Sequence, residues 1–176
     1  AGPRPARGSG RGRADLEVEN GIVCDSGLET SVEGIFAAGD CCSWDSPLHG
    51  RRVRLEHWDV ALQQGRHAAA GMLGEKRPYE VVPYFFSDLA DWLSLEYVGT
   101  GSGSDEMILR GEIPEDGTTA AELSAWYLRE GELVATLSIG RGDDLIEARR
   151  LIASRAQIGA EERAVIEDAS SDLSEL

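Results

Sequence analysis

No apolar run in the chain approaches the ~20 residues that a membrane-spanning helix needs. The first thirteen residues, rich in Arg, Gly and Pro, lack the apolar core of a signal peptide. A cytoplasmic protein is expected. Cysteine is scarce, with three in 176 residues: Cys24, Cys41 and Cys42. An odd number without a signal peptide points to free thiols rather than a disulfide framework. Cys41-Cys42 is a vicinal pair, not a C-x-x-C. The three histidines, His49, His57 and His67, form neither H-E-x-x-H nor H-x-x-x-H, so no metal site is expected. No G-x-G-x-x-G occurs. "GTGSGSDE" (99–106) is glycine-rich, but it follows a strand and leads to no helix, so it reads as a loop and not as a phosphate cradle. Positive charge is also in deficit. There are 17 Lys and Arg against 32 Asp and Glu, a net charge of −15. The first thirteen residues carry +4 and residues 159–176 carry −5, so the body is acidic. That excludes nucleic acid and anionic membranes as expected partners, because both need phosphate neutralisation by Lys and Arg.

What is present reads as an α+β chain. Residues 1–15 are an irregular lead-in. "LEVENGIVCD" (16–25) alternates around Asn20-Gly21, a hairpin signal. "GIFAAGD" (34–40) reads as a buried strand, and "CCSWDSPLHGRRVR" (41–54) as a loop punctuated by Pro47 and Gly50. Residues 55–74 form the clearest helix, with Gly74 as its stop. Trp58, Ala61, Leu62, Gly65, Ala68, Ala69 and Met72 share one face at three- and four-residue steps. "EKRPYEVVPYFFSD" (75–88) reads as an extended connector. Strands follow at 93–99, 106–113, 122–129 and 132–140, with a tight hairpin at Glu130-Gly131. A helix at 143–155 is expected to be capped by Asp144 with Glu147 as the reciprocal partner. Its apolar face is Leu145, Ala148, Leu151 and Ile152. Residues 75–158 thus make a small antiparallel sheet with a helix packed on it. An acidic tail (159–176) follows, with "AEERAVIEDA" as a short helix or a solvated stretch.

The residues that invite chemistry cluster at "TSVEGIFAAGD" and just after it. A strand ending on Gly39-Asp40 would bring both to the carboxyl edge of an α/β sheet, where ligands bind. Gly39 lets backbone approach a ligand, and the Asp40 carboxylate suits sugar-type hydroxyls. A plain turn after a strand is the alternative.

The pattern T-S-x-x-G-I-F-A-A-G-D closely resembles the second flavin-binding signature of the two-dinucleotide-domain flavoproteins, the pyridine nucleotide-disulfide oxidoreductases and their relatives. "EHWDVALQQGRHAAAGMLG" (56–74) looks like the helix of the ferredoxin reductase family and of apoptosis-inducing-factor-like NADH oxidoreductases. "VPYFFSDLADWLSLEYVG" (82–99) is similar to the entry to that family's C-terminal domain. The resemblance covers about residues 16–155. It implies that residues 16–74 are the last part of an α/β FAD-binding domain, and that residues 75–158 are the reductase C-terminal domain, of interface or dimerisation type. Asp40 would then take a ribityl hydroxyl of FAD, beside Gly39. Glu56, His57 and Trp58 would open the helix whose N-terminus points at the flavin's pyrimidine end, where its partial positive charge favours reduction. Phe86 would be a second aromatic near the flavin ring. No residue is assigned to catalysis. Trp58 as a core anchor and Phe85-Phe86 as ordinary packing are the alternatives.

The family takes electrons from NAD(P)H through FAD to a ferredoxin- or rubredoxin-like carrier. Cys41-Cys42 has neither the spacing nor the place of a redox dithiol, which favours that single-flavin branch. The two N-terminal G-x-G-x-x-G fingerprints of the family are missing, so the chain is expected to be the C-terminal part of a longer reductase and inactive alone. "AGPRPA" (1–6) resembles the Gly-x-Arg-Pro loop that precedes this region. Arg51, Arg52, Arg54, Arg149 and Arg150 would be the local basic patch for an acidic carrier. The alternative function is an interaction or homodimerisation module of an apoptosis-inducing-factor-like NADH oxidase or redox sensor.

Overall fold

The computed structural model describes residues 15–91, 93–114 and 121–176. The expectations for residues 1–14, including the Gly-x-Arg-Pro resemblance, lie outside them. The chain divides into two compact units, one ending at Val81 and the other beginning at Val82. Among the described residues no helix is long and apolar enough to cross a membrane.

The first unit holds a four-stranded sheet of β1 (Val18–Glu19), β2 (Gly21–Cys24), β3 (Cys42–Ser46) and β4 (Arg51–Val53), in that order. Glu19 pairs with Gly21 across the expected hairpin, and Gly21 has φ +114°, which its turn requires. β2 and β3 are parallel, and β3 and β4 antiparallel. Two expectations fail here. "GIFAAGD" is not a strand: Phe36 makes one isolated bridge to Glu29, and Gly39–Cys41 is a single 3-10 turn. The parallel strand is instead "CCSWDS", which looked like a loop. Small side chains explain the misreading: Cys42, Ser43, Trp44 and Ser46 are all buried, so the polar Ser residues sit inside the sheet. Pro47 to Gly50 form the turn into β4.

α1 (Trp58–Met72) follows, and the residues it buries are Val60, Gln64, His67, Ala68 and Gly71. The expected apolar face is largely the opposite one, for Trp58, Leu62 and Met72 are exposed. The inward face is small and polar because its polar atoms bind backbone. Gln64 takes the Gly39 N–H, and His67 Nε2 lies 2.9 Å from the Arg77 carbonyl. The core beside it is Cys24, Leu28, Ala37, Cys42, Trp44, Val53, Val60 and Tyr79.

The second unit is a five-stranded antiparallel sheet ordered β5-β6-β9-β8-β7. Its strands are β5 (Tyr84–Ala90), β6 (Leu93–Gly99), β7 (Glu106–Glu112), β8 (Glu122–Arg129) and β9 (Glu132–Ile139). Four match expectation. β5 replaces part of the expected connector: Pro83 only precedes it, and a strand starting just after a proline at a sheet edge loses no ladder bond. Glu130 and Gly131 both have positive φ, as a tight hairpin of this hand needs. α2 (Asp144–Ser154) packs on β9 and β6 through Leu145, Ala148, Leu151 and Ile152, as expected. Asp144 does not cap it. Asp143 occupies the cap position, and Asp144 is buried among Ser124, Arg141 and Arg110. Past Gly159 the chain forms α3 (Ala160–Glu167) and a 3-10 turn, Leu173–Glu175, with Ile166 and Leu173 buried. This acidic segment is therefore anchored at Ile166 and Leu173, with most of its remaining residues exposed.

Candidate functional site

The first unit gathers most of the expected residues. Gly39 has φ +75°, and a Cβ there would stand 3.1 Å from that of Ala61. Its missing side chain makes room for α1, not for a ligand. The Gly39 N–H donates to Gln64 Oε1 at 2.8 Å, and the Asp40 carbonyl accepts from Arg54 Nη1 at 2.7 Å. The Asp40 carboxylate is exposed and takes no hydrogen bond from any described residue.

Arg54, expected in the basic patch, has a structural part that its sequence position did not announce. Its guanidinium also lies 2.6 Å from the Glu56 carboxylate. Its stem runs against Gly21, where a Cβ would meet Arg54 Cδ at 2.8 Å. One arginine thus ties β2, the Asp40 turn and the lead into α1. The Arg-x-Glu spacing before the helix was the available signal. Arg52 is likewise engaged, in a two-pronged pair with Asp45.

His57 is the N-cap residue of α1, in extended backbone, and its side chain makes no cap bond. The first-turn N–H groups of α1 are therefore not covered by a side-chain cap. Burial pushes the His57 imidazole below its ordinary 6.5, with the Asp40 charge pulling the other way. The ring is neutral at neutral pH. Trp58 is 74% exposed, which removes the core-anchor alternative. Phe86 belongs to the second unit, on β5, 54% exposed and with its ring 6.5 Å from that of Tyr84.

All three cysteines are free. The neighbouring Cys24 thiol and burial raise the Cys42 pKa, while the Cys42 thiol lowers that of Cys24 against the opposing effect of its burial. Cys41 is turned away, its thiol on the Ala38 carbonyl, so Cys41 and Cys42 do not act as a pair. Among the described residues no group of His, Cys, Asp or Glu is arranged to hold a metal ion.

The donor set fits a polyhydroxyl cofactor. A carboxylate without a protein partner takes O–H donors strongly. A helix N-terminus beside it takes carbonyl or anionic oxygens. That pairing lies in a unit built on a mixed sheet, joined in sequence to an antiparallel sheet with helices, an α+β architecture.

Residues 84–176 match the family described as Reductase C-terminal, and residues 1–65 match Pyridine nucleotide-disulphide oxidoreductase. The chain belongs to the Reductase C-terminal family. It is 37% identical over 143 residues to the ferredoxin–NAD(+) reductase component of the anthranilate 1,2-dioxygenase system of Burkholderia cepacia, covering 81% of this chain and 34% of that protein. It is 32% identical to mouse apoptosis-inducing factor 3 over 79% of this chain and 22% of that one. Among solved structures it resembles the reductase of the covalent putidaredoxin reductase–putidaredoxin complex, with TM-score 0.78, 32% identity, and coverage of 92% and 37%. The ferredoxin reductase of Rhodopseudomonas palustris gives TM-score 0.79 at 31% identity, with coverage of 91% and 37%. The chain spans about a third of the length of the curated reductases it matches.

Proposed function

We propose that the chain provides the flavin-contacting edge and C-terminal domain of an FAD-dependent NAD(P)H oxidoreductase. Its acceptor would be a ferredoxin- or rubredoxin-like carrier. The observation that carries this reading is the Asp40 carboxylate, unengaged by any described residue and close to the N-terminus of α1, where His57 makes no side-chain cap bond. The names of the relatives, ferredoxin–NAD(+) reductase and putidaredoxin reductase, support the electron path. When bound, FAD would supply the exchange between two-electron and one-electron chemistry.

The protein's part is binding and tuning. Asp40 accepts a ribityl O–H. The first-turn N–H groups of α1 donate toward the pyrimidine end, where they stabilise added negative charge. Neutral His57 leaves that effect to the helix. Glu56, held by Arg54, fixes the lead into the helix, and exposed Trp58 offers an apolar face. Phe86 is assigned to the ring on the resemblance alone. Three free thiols suit a reducing compartment, so we place the protein in the cytoplasm.

Asp40→Ala in the native polypeptide tests this. Losing a hydrogen bond to a charged acceptor is worth ~1.5–3 kcal/mol, so FAD affinity should fall by roughly ten- to a hundred-fold. Flavin content unchanged after gel filtration would refute the assignment.

A further inference from the structure

Asp40 sits in a turn only three residues long, and its own side chain takes no hydrogen bond from any described residue. Its direction therefore depends on how its backbone is held. One fastening lies on each side: Gln64 Oε1 on the Gly39 N–H, and Arg54 on the Asp40 carbonyl. Gln64 is the less expected of the two. It is fully buried, and its Nε2 has no hydrogen-bond partner among the described residues. A buried amide with half its capacity unused is destabilising. Met would fill the same space without that cost. What Gln alone brings to this face of α1 is an acceptor for Gly39, whose φ of +75° is the left-handed bend that directs the chain into Asp40.

We propose that Gln64 is a positioning residue that locks the Asp40 carboxylate in register with the N-terminus of α1. Both groups expected to face the cofactor are then fixed to one helix: the helix end directly, and the carboxylate through the Gln64–Gly39 bond two turns along. This rests on the flavin reading above.

A double-mutant cycle on FAD affinity, measured by titrating apo native polypeptide and following flavin fluorescence, tests it. Gln64→Met should weaken binding about ten-fold, the loss of one well-placed hydrogen bond. Asp40→Ala should weaken it at least as much. In the Asp40→Ala background Gln64→Met should add less than about two-fold, because the residue acts through that carboxylate. A merely structural role gives no such non-additivity. Gln64→Glu, which burial drives to its neutral acid form, still offers a carbonyl oxygen to Gly39 and should bind within about three-fold of the parent. It carries the test if Gln64→Met does not fold. Full affinity in Gln64→Met, independent multiplying effects, or lost affinity in a folded Gln64→Glu overturns the proposal. Unchanged affinity in Asp40→Ala overturns the flavin reading itself, and the positioning role with it.

Discussion

Asp40 and His57 are seventeen residues apart in sequence, yet the Asp40 charge is felt at the His57 ring across the end of α1. That proximity has a measurable consequence. Burial holds the folded His57 below its ordinary 6.5. The unfolded chain therefore takes up a proton more readily than the folded one. The stability contributed by neutral His57 is present above pH 6.5 and is lost as pH falls below it. Amide exchange in α1 should speed up accordingly between pH 7 and pH 5, once corrected for intrinsic exchange, by about the amount His57 controls. His57→Gln, which does not titrate, should flatten this dependence. An unchanged slope in that variant would mean another group titrates.

At the scale of elements, four of the five strands of the second unit were legible, because they alternate and the β8–β9 hairpin carries Glu130-Gly131, whereas β5 was hidden behind the prolines of the expected connector. α1 was legible as a helix but not in its orientation. Hydrophobicity pointed to Trp58, Leu62 and Met72, whereas the buried face is organised by backbone partners for Gln64 and His67. No periodicity reports such partners. Asp40 could be singled out from its sequence as a carboxylate for hydroxyls, and its flavin role and the entry to α1 through family resemblance, while Arg54 and Gln64 act through contacts that a sequence does not display. The same holds for Arg110 on β7. It is nearly inaccessible, and its guanidinium donates to the carbonyls of Val165, Ile166, Asp168 and Ser171 while lying 3.3 Å from Asp144. It thereby satisfies the last carbonyls of α3, which that helix cannot satisfy itself. Arg110→Met should destabilise the second unit by about 3–5 kcal/mol, since Asp144 loses part of its compensation and the carbonyls lose theirs. Limited proteolysis should cut first after Gly159. Protection of residues 160–176 equal to the parent's would show that apolar packing of Ile166 and Leu173 alone holds this segment.

Across the whole molecule the dominant electrostatic fact is the net charge of −15, and the structure shows how little of it is offset. The cluster that screening reaches least is Arg110 and Arg141 with Asp144, whose carboxylate is almost inaccessible. Pairs such as Arg52–Asp45 and Lys76–Glu29 are more exposed and individually worth little. Like-charge repulsion among the remaining carboxylates opposes the compact state and is screened over about 10 Å at 0.1 M salt. Added salt therefore relieves more repulsion than it removes attraction. The midpoint of each thermal transition should rise by a few degrees between ~10 mM and ~150 mM NaCl, followed by circular dichroism. A falling midpoint would mean that the exposed arginine pairs contribute more than their solvent exposure implies. Arg52→Gln and Arg54→Gln would then separate the two cases. Loss of Arg54, which holds Glu56 and the Asp40 carbonyl, should destabilise the first unit at both salt concentrations, and loss of Arg52 only at the lower one.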